Sequence, residues 1–394
     1  MIQFMLNRST LLPALAGLSM AATVLLTSCS NSSEGTNVQP AQPASNPITG
    51  TSLAGNLKGT LLTGSTYTVT GDVTVGPKDT LFVQRGVTVN VTNNSAFYVQ
   101  GTLISEGSQT SPITFTSPAA KPGSWGGFQC DSAKYVRIQW THLDYTGGPD
   151  PTGNSRITLI VSRPIPVVLE DSWIKSGQDD GLRLQGGCTV SILRNTIEGE
   201  GKTDGEAINI KTGATGTVAY NVIWSTAGSA IKVETSTTAL FPQTNVKVYN
   251  NTLISNGFRR GAAEPGRGIL VDRFARGDFW NNLLVNDYNG IDITTAADTK
   301  NITYGNNYFY ATADSLRKYY YPAGSFGKPQ TTDIVSASTT DKNPLFVRFD
   351  ANYNNPTNTN DLHLQSGSPA LGVGNGAYNK DIGAYTSDSQ GNKH

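Results

Sequence analysis

Two adjacent carboxylates, Asp179 and Asp180, are followed by Asp204 and Glu206, and Glu206 lies 26 residues beyond Asp180. Lysines follow at Lys211 and Lys232. Side chains on stacked β-strands start about 4.8 Å apart, close to the roughly 5 Å between the two carboxyl groups of a configuration-retaining glycosidase. Asp180 and Glu206 are the best such pair, and crowding them raises the pKa of one, which is how an acid is made near neutral pH. Abstraction of a proton beside a uronate carboxylate instead needs a lysine or arginine base and a cation for the enolate-like intermediate. Lys211 or Lys232 supplies that base, which makes Asp180, Glu206, Lys211 and Lys232 the candidate catalytic set. A plainer role competes at each carboxylate. Asp-Asp-Gly and Thr-Asp-Gly form turns, and opposite charges on neighbouring rungs stabilise strand pairing by roughly 0.2–1 kcal/mol.

The elements that must position these groups show as a repeat. A phrase of apolar residue, two spacers, Asn, one residue and a further apolar residue returns five times. It reads Ile192-Leu-Arg-Asn195-Thr-Ile197, Val218-Ala-Tyr-Asn221-Val-Ile223, Val248-Tyr-Asn-Asn251-Thr-Leu253, Phe279-Trp-Asn-Asn282-Leu-Leu284 and Tyr304-Gly-Asn-Asn307-Tyr-Phe309. The asparagines are 26, 30, 31 and 25 residues apart, a recurrence typical of stacked repeats. Between the phrases come short alternating strands such as Leu182-Arg-Leu184, Ile208-Asn-Ile210, Ile231-Lys-Val233, Ile269-Leu-Val271 and Ile291-Asp-Ile293. Two or three short strands per repeat, with no helix to cross over, exclude βαβ units and predict an all-β, single-stranded right-handed parallel β-helix. The asparagines then belong at corners, tolerating left-handed backbone and bonding up the stack as a ladder. Because the flanking aliphatics point inward, Arg183, Asn209, Lys232, Leu270 and Asp292 form one outward column. Gln185, Lys211, Glu234, Asp272 and Thr294 form the next, and Asp180, Glu206, Ser229, Arg267 and Asn289 the one before. Substrate-binding candidates on this strip are Arg183, Asn209, Glu234, Arg267, Asp272, Arg273 and Asp292, walled by loops 199–206, 235–247 and 255–267.

The opening coils carry a resemblance. Gly71-Asp-Val-Thr-Val75, Asp79-Thr-Leu-Phe-Val-Gln-Arg-Gly-Val-Thr-Val89, Gly101-Thr-Leu-Ile-Ser105, Pro112-Ile-Thr-Phe-Thr-Ser117, Ser124-Trp-Gly-Gly-Phe128 and the ending Asp381-Ile-Gly-Ala-Tyr385 resemble bacterial envelope lipoproteins with a pectate-lyase-like β-helix. That group implies the fold but carries no general catalytic assignment. Pectate-lyase-type enzymes bind calcium through carboxylates on this face, so the resemblance implies Asp179, Asp180, Asp204 and Glu206 as candidate calcium ligands; no cofactor is otherwise required. The polygalacturonase pattern is a near miss, since Gln178-Asp-Asp-Gly181 and Thr203-Asp-Gly205 occur in reverse order, Gly-His-Gly is missing, and Ala230-Ile-Lys232 lacks the arginine. At the amino end, Arg8, the apolar run Leu11 to Leu26 and Leu26-Thr-Ser-Cys29 resemble a lipoprotein signal. Residues 1–28 are then a signal peptide and Cys29 the lipidated residue. With Ser30 rather than Asp next, a lipid-anchored place at the outer membrane is implied. Residues 29–52, rich in Ser, Asn, Gln, Pro and Gly, read as a disordered tether. Residues 53–392 read as the β-helix body, with closing coils and a cap at about 341–392.

The remaining composition narrows the function. With 29 basic and 29 acidic residues among 394, no basic excess points to nucleic acid. The 42 glycines and 15% charged residues fit a chain of strands and turns. Cys130 and Cys188 read as buried free thiols more readily than as a disulfide. His142 stands in its strand without a metal-binding spacing, and Lys318-Tyr-Tyr-Tyr-Pro322 suits either a sugar-stacking loop or a packed flap. Three functions stay open: a polysaccharide-binding envelope protein, a polysaccharide lyase (favoured over a glycoside hydrolase), or an adhesin or structural element. The membrane is reached only through the lipid.

Overall fold

The computed structural model describes residues 46–236, 242–261, 264–352 and 360–394. The signal segment, Cys29 and the tether up to residue 45 lie outside the described residues. Each complete coil carries three short strands, all pairing in parallel with the coils before and after. In one coil these are Leu182–Leu184, Thr189–Leu193 and Thr196–Glu198, and in the next Ile208–Lys211, Thr215–Ala219 and Val222–Trp224. Three faces result, called first, second and third in that order. The register holds on each, with Arg183 opposite Asn209, Ser191 opposite Thr217 and Ile197 opposite Ile223. The second face is a ten-stranded sheet. The first and third are joined by Thr66–Val75, which pairs with Thr88–Val91 through its start and with Phe97–Val99 through its end.

Alternation explains the strands. In Thr189–Leu193, Val190 and Ile192 point in and are buried, while Ser191 and Leu193 face out. The inward residues of all faces merge into one core running the length of the coils. Near its start Phe97, Phe115, Trp125 and Phe128 pack ring against ring, with centroids 5.0–6.4 Å apart. Edge-to-face aromatic contacts of this kind add to simple burial.

The asparagine ladder forms as expected. Asn221 N–H and Nδ2 both donate to Asn251 Oδ1 (3.0 and 2.9 Å), and Asn251 repeats this toward Asn282. Ser172 precedes the series and Asp333 ends it. One expectation is corrected: the left-handed residue is not the ladder asparagine but the one before it, Arg194, Tyr220, Asn250, Asn281 and Asn306, with φ between 49° and 58°. The ladder residue instead points inward, where its amide satisfies backbone that turns the corner. A second ladder, Thr226, Asn256 and Asp287, lines the corner between third and first faces.

Two boundaries also differ from the sequence reading. The body begins before residue 53, because Thr60 N–H donates to Asn46 O, Ile48 N–H donates to Thr60 O, and strand Ser52–Asn56 is already paired. Residues 341–392 are not closing coils. The core is instead closed by the tyrosine segment: Tyr320 and Tyr321 pack on Phe309 with centroids 5.4 and 5.1 Å away, and Ile291 N–H donates to Tyr320 O. That segment is therefore a packed flap. The chain then turns back along the outside of the third face. Phe346, Leu362, Ala370, Ile382 and Ala384 cover Val222, Trp224, Ile254, Leu283, Val285, Tyr308 and Tyr310. Asn250 Nδ2 donates to Asp381 O (2.7 Å), Asn392 Nδ2 to Asn195 O (3.2 Å), and His394 stacks on Trp173 at 4.0 Å. Among the described residues no helix is long and apolar enough to cross a membrane.

Candidate functional site

The outward columns of the first face come together as the alternation required. Arg183, Asn209, Lys232, Leu270 and Asp292 are successive register partners. So are Lys211, Glu234 and Asp272. Asp180 and Glu206 occupy neighbouring rungs: Gly181 N–H donates to Glu206 O (2.9 Å), and Glu206 N–H to Asp180 Oδ1 (2.8 Å). Gly205 makes this approach feasible, because at φ 120° a Cβ there would lie 2.7 Å from the Asp179 carbonyl carbon.

The charges are joined into one network. Asp180 Oδ2 accepts from Arg183 Nε (2.8 Å) and Asn209 Nδ2 (2.9 Å), and the same amide lies 3.5 Å from Glu206 Oε2. Glu206 Oε1 pairs with Arg260 Nη1 at 2.6 Å and with Lys232 Nζ at 3.8 Å. Lys232 also lies 3.7 Å from Glu234, whose other oxygen takes Lys211 at 3.0 Å. Arg273 bridges Glu234 (3.5 Å) and Asp272 (3.7 Å), while Arg267 pairs with Asp292 (3.1 Å). The carboxylates are the buried members and several cations the exposed ones. Asp180, Glu206 and Glu234 have side chains only 1–4% exposed, against 32% for Arg183 and 56% for Arg273.

Environment splits the Asp180–Glu206 pair. Burial raises the Glu206 carboxyl to about 7, and the charge of Asp180 adds to this against the pull of Lys232 and Arg260. Asp180 is held below the usual carboxylate range because Arg183 and its hydrogen bonds, including that from Asn209, offset its burial. One proton shared unequally by two stacked carboxyl groups is the acid–base arrangement expected of such a pair.

The expected calcium site is not assembled. Asp204 is drawn to Arg260 (3.0 Å) and Asp179 toward Arg183 (3.9 Å), so neither converges with Asp180 and Glu206. Among the described residues no group of three or more His, Cys, Asp or Glu side chains is placed to hold a metal ion. Of the walling loops, 255–267 contributes Arg260 and Arg267 directly; parts of this loop and of 235–247 lie outside the described residues.

Other groups escaped the sequence reading. The central column continues toward the amino end through Ile160, Gln129 and Tyr98. There the loop at 146–156 brings Arg156 Nη2 to Tyr98 OH (3.1 Å), beside a cavity of about 330 Å³ that Arg183 also lines. Reading the column three rungs further would have found Gln129 and Tyr98; nothing local announces Arg156. On the third face His142 is not solitary, since it stacks on Trp173 at 4.1 Å, and all three histidines of the chain line one crevice. Cys130 and Cys188 are buried free thiols.

Comparison with known proteins agrees with this geometry at the level of fold. Residues 55–137 match the pectate-lyase like beta helix domain, and residues 151–309 match the right handed beta helix region. No curated protein and no solved structure matches the chain. The chain is an all-β right-handed parallel β-helix whose opening coils are pectate-lyase-like.

Proposed function

We propose that this protein binds a polysaccharide along the first face of its β-helix, as a lipid-anchored protein of the bacterial outer membrane. The observation that carries the binding reading is the in-register column Tyr98, Gln129, Ile160, Arg183, Asn209, Lys232, polar on every rung but that of Ile160 and continuous with the cavity beside Arg156. Repeating polar groups at rung spacing suit a repeating ligand. The buried carboxylates fix the orientation of the cations, and the exposed parts of Arg183, Lys211, Asp272 and Arg273 are left for sugar hydroxyls. Because the two signs of charge interleave along the strip, hydroxyl recognition dominates over attraction of a strongly anionic chain. The anchoring part of the proposal rests on the Leu26-Thr-Ser-Cys29 motif.

The test uses the full-length protein in detergent micelles on immobilised neutral and acidic polysaccharides. Tyr98→Ala and Arg183→Ala each weaken retention at least tenfold while circular dichroism stays unchanged; undiminished retention by both refutes the site. Cys29→Ala moves the protein to the soluble fraction, and continued membrane retention rejects the anchor.

A second reading, cleavage of the bound glycan, is favoured by the unequal Asp180–Glu206 pair alone. New reducing ends without ultraviolet absorbance indicate a hydrolase, and absorbing unsaturated products a lyase. Turnover that survives Asp180→Asn and Glu206→Gln rules out this pair.

A further inference from the structure

The third face changes character along its length. From Val222 and Trp224 onward its two outward columns are apolar except at Thr252 and are covered by the returning carboxyl-terminal segment. On the rungs before, the same columns read His142, Trp173, Thr196 and Asp144, Lys175, Glu198. Here the returning segment touches the wall through His394, on Trp173 and Thr196, and beside that contact leaves a crevice of about 600 Å³, rimmed by Tyr385 and His363, which stack on each other at 4.0 Å. That volume lies within the roughly 300–1,000 Å³ of small-ligand sites.

The lining divides into two ends. One is aromatic, with Trp173 held between His142 (4.1 Å) and His394 (4.0 Å) and Trp224 one rung beyond Glu198. The other is polar: Lys175 Nζ meets Glu198 Oε1 at 2.5 Å, with Asp144 in the same column. Asp144 Oδ1 is buried and has no hydrogen-bond partner, although Asp144 lines the crevice. Buried polar atoms ordinarily find partners, so this oxygen is an acceptor position left for something that enters. Burial lifts the Asp144 carboxyl to about 6, so at neutral pH it is mostly ionised and the polar end, with Lys175 and Glu198, carries a net negative charge.

The geometry points to a binding site for a short neutral oligosaccharide in this crevice, distinct from the first-face groove. The rim rings of Tyr385 and His363 take the C–H faces of sugars while the carboxylates of Asp144 and Glu198 and the Lys175 ammonium group take hydroxyls. The net negative charge of the polar end disfavours an anionic ligand. Such a site could hold one end of a glycan whose length runs elsewhere on the surface.

The experiment uses the full-length protein in micelles, titrated with cellotetraose, xylotetraose, maltotetraose and chitotetraose while tryptophan emission is followed. At least one probe gives a saturable change, since Trp173 and Trp224 line the crevice. Lys175→Ala weakens that binding at least tenfold. His363→Ala, at an exposed rim position that leaves the wall intact, weakens it several-fold. Arg183→Ala, on the first face, leaves it unchanged. The inference is overturned if none of the four sugars gives a saturable change, or if the change persists in both crevice variants.

Discussion

Glu200 offers a test of how the corner beside the candidate site is held. Its side chain is fully buried, and Oε1 accepts the Gly177 N–H at 2.9 Å while Oε2 has no partner. Burial outweighs both that hydrogen bond and the nearby Arg259 guanidinium, and lifts the carboxyl from 4.5 to about 8. Between those pH values the fold keeps a proton that the unfolded chain releases. The stability linked to this proton is full below about 4.5 and is lost as pH rises toward about 8. At about 1.4 kcal/mol per pH unit, the loss between pH 5 and pH 8 is about 4 kcal/mol. Glu200→Gln keeps an acceptor for Gly177 but cannot ionise. Its amide hydrogens lack an acceptor at every pH, which costs about 1–3 kcal/mol. The variant is therefore the weaker protein at pH 5 and the stronger one at pH 8. The assay is urea denaturation of both proteins across this range, read as the difference in unfolding free energy. Asp287 and Glu206, both near 7, titrate in the same window but are common to both proteins and cancel. Parallel stability curves from pH 5 to pH 8 would refute the reasoning.

Asn251→Ala removes the acceptor of Asn221 N–H and the donor to Val218 O, and should lower the unfolding free energy by about 3 kcal/mol; a loss below about 1 kcal/mol in urea denaturation contradicts a cooperative ladder. Burial lowers His394 from 6.5 to about 4, so its stabilising contribution is present above 6.5 and declines as pH falls toward about 4. A proton NMR titration of His394 should show its midpoint near 4, and an ordinary midpoint would mean the stack on Trp173 is open. Burial pushes the Cys188 thiol up to about 12 and Cys130 higher still. Both should resist a thiol reagent at mild alkaline pH and react only in denaturant, and reaction of either in the native protein would show that its coil opens.

The first-face columns could be read from sequence because short aliphatic pairs such as Ile208 and Ile210 fix which neighbour points outward, and Asn209 has no alternative direction. The stacking of Asp180 on Glu206 followed from the same period. The partner of Glu206 did not, because Arg260 arrives from a loop that obeys no period. The ladder was legible in its role but not in its backbone, since Asn195 and the left-handed Arg194 are neighbours and asparagine's tolerance of that conformation drew attention one place too far. The third-face crevice was hidden for a different reason. Trp173 and His142 sit on adjacent rungs, yet His394 and Tyr385 come from an aperiodic segment whose course along the wall no local pattern encodes. The same aperiodicity made residues 341–392 look like closing coils.

The returning segment also imposes an order on synthesis. Coils stack on their immediate predecessors, so the solenoid can wind as the chain emerges, with each contact closing a short loop. The final contacts are of another kind: Asn250 meets Asp381 across 131 residues, and Thr196 meets His394 across 198. Until the returning segment is made, the stripe from Val222 to Tyr310 lacks its cover and is a sticky surface of the sort that invites aggregation. The nascent protein is thus an exposed half-product that must be shielded, and the returning segment acts as the latch that ends this vulnerability.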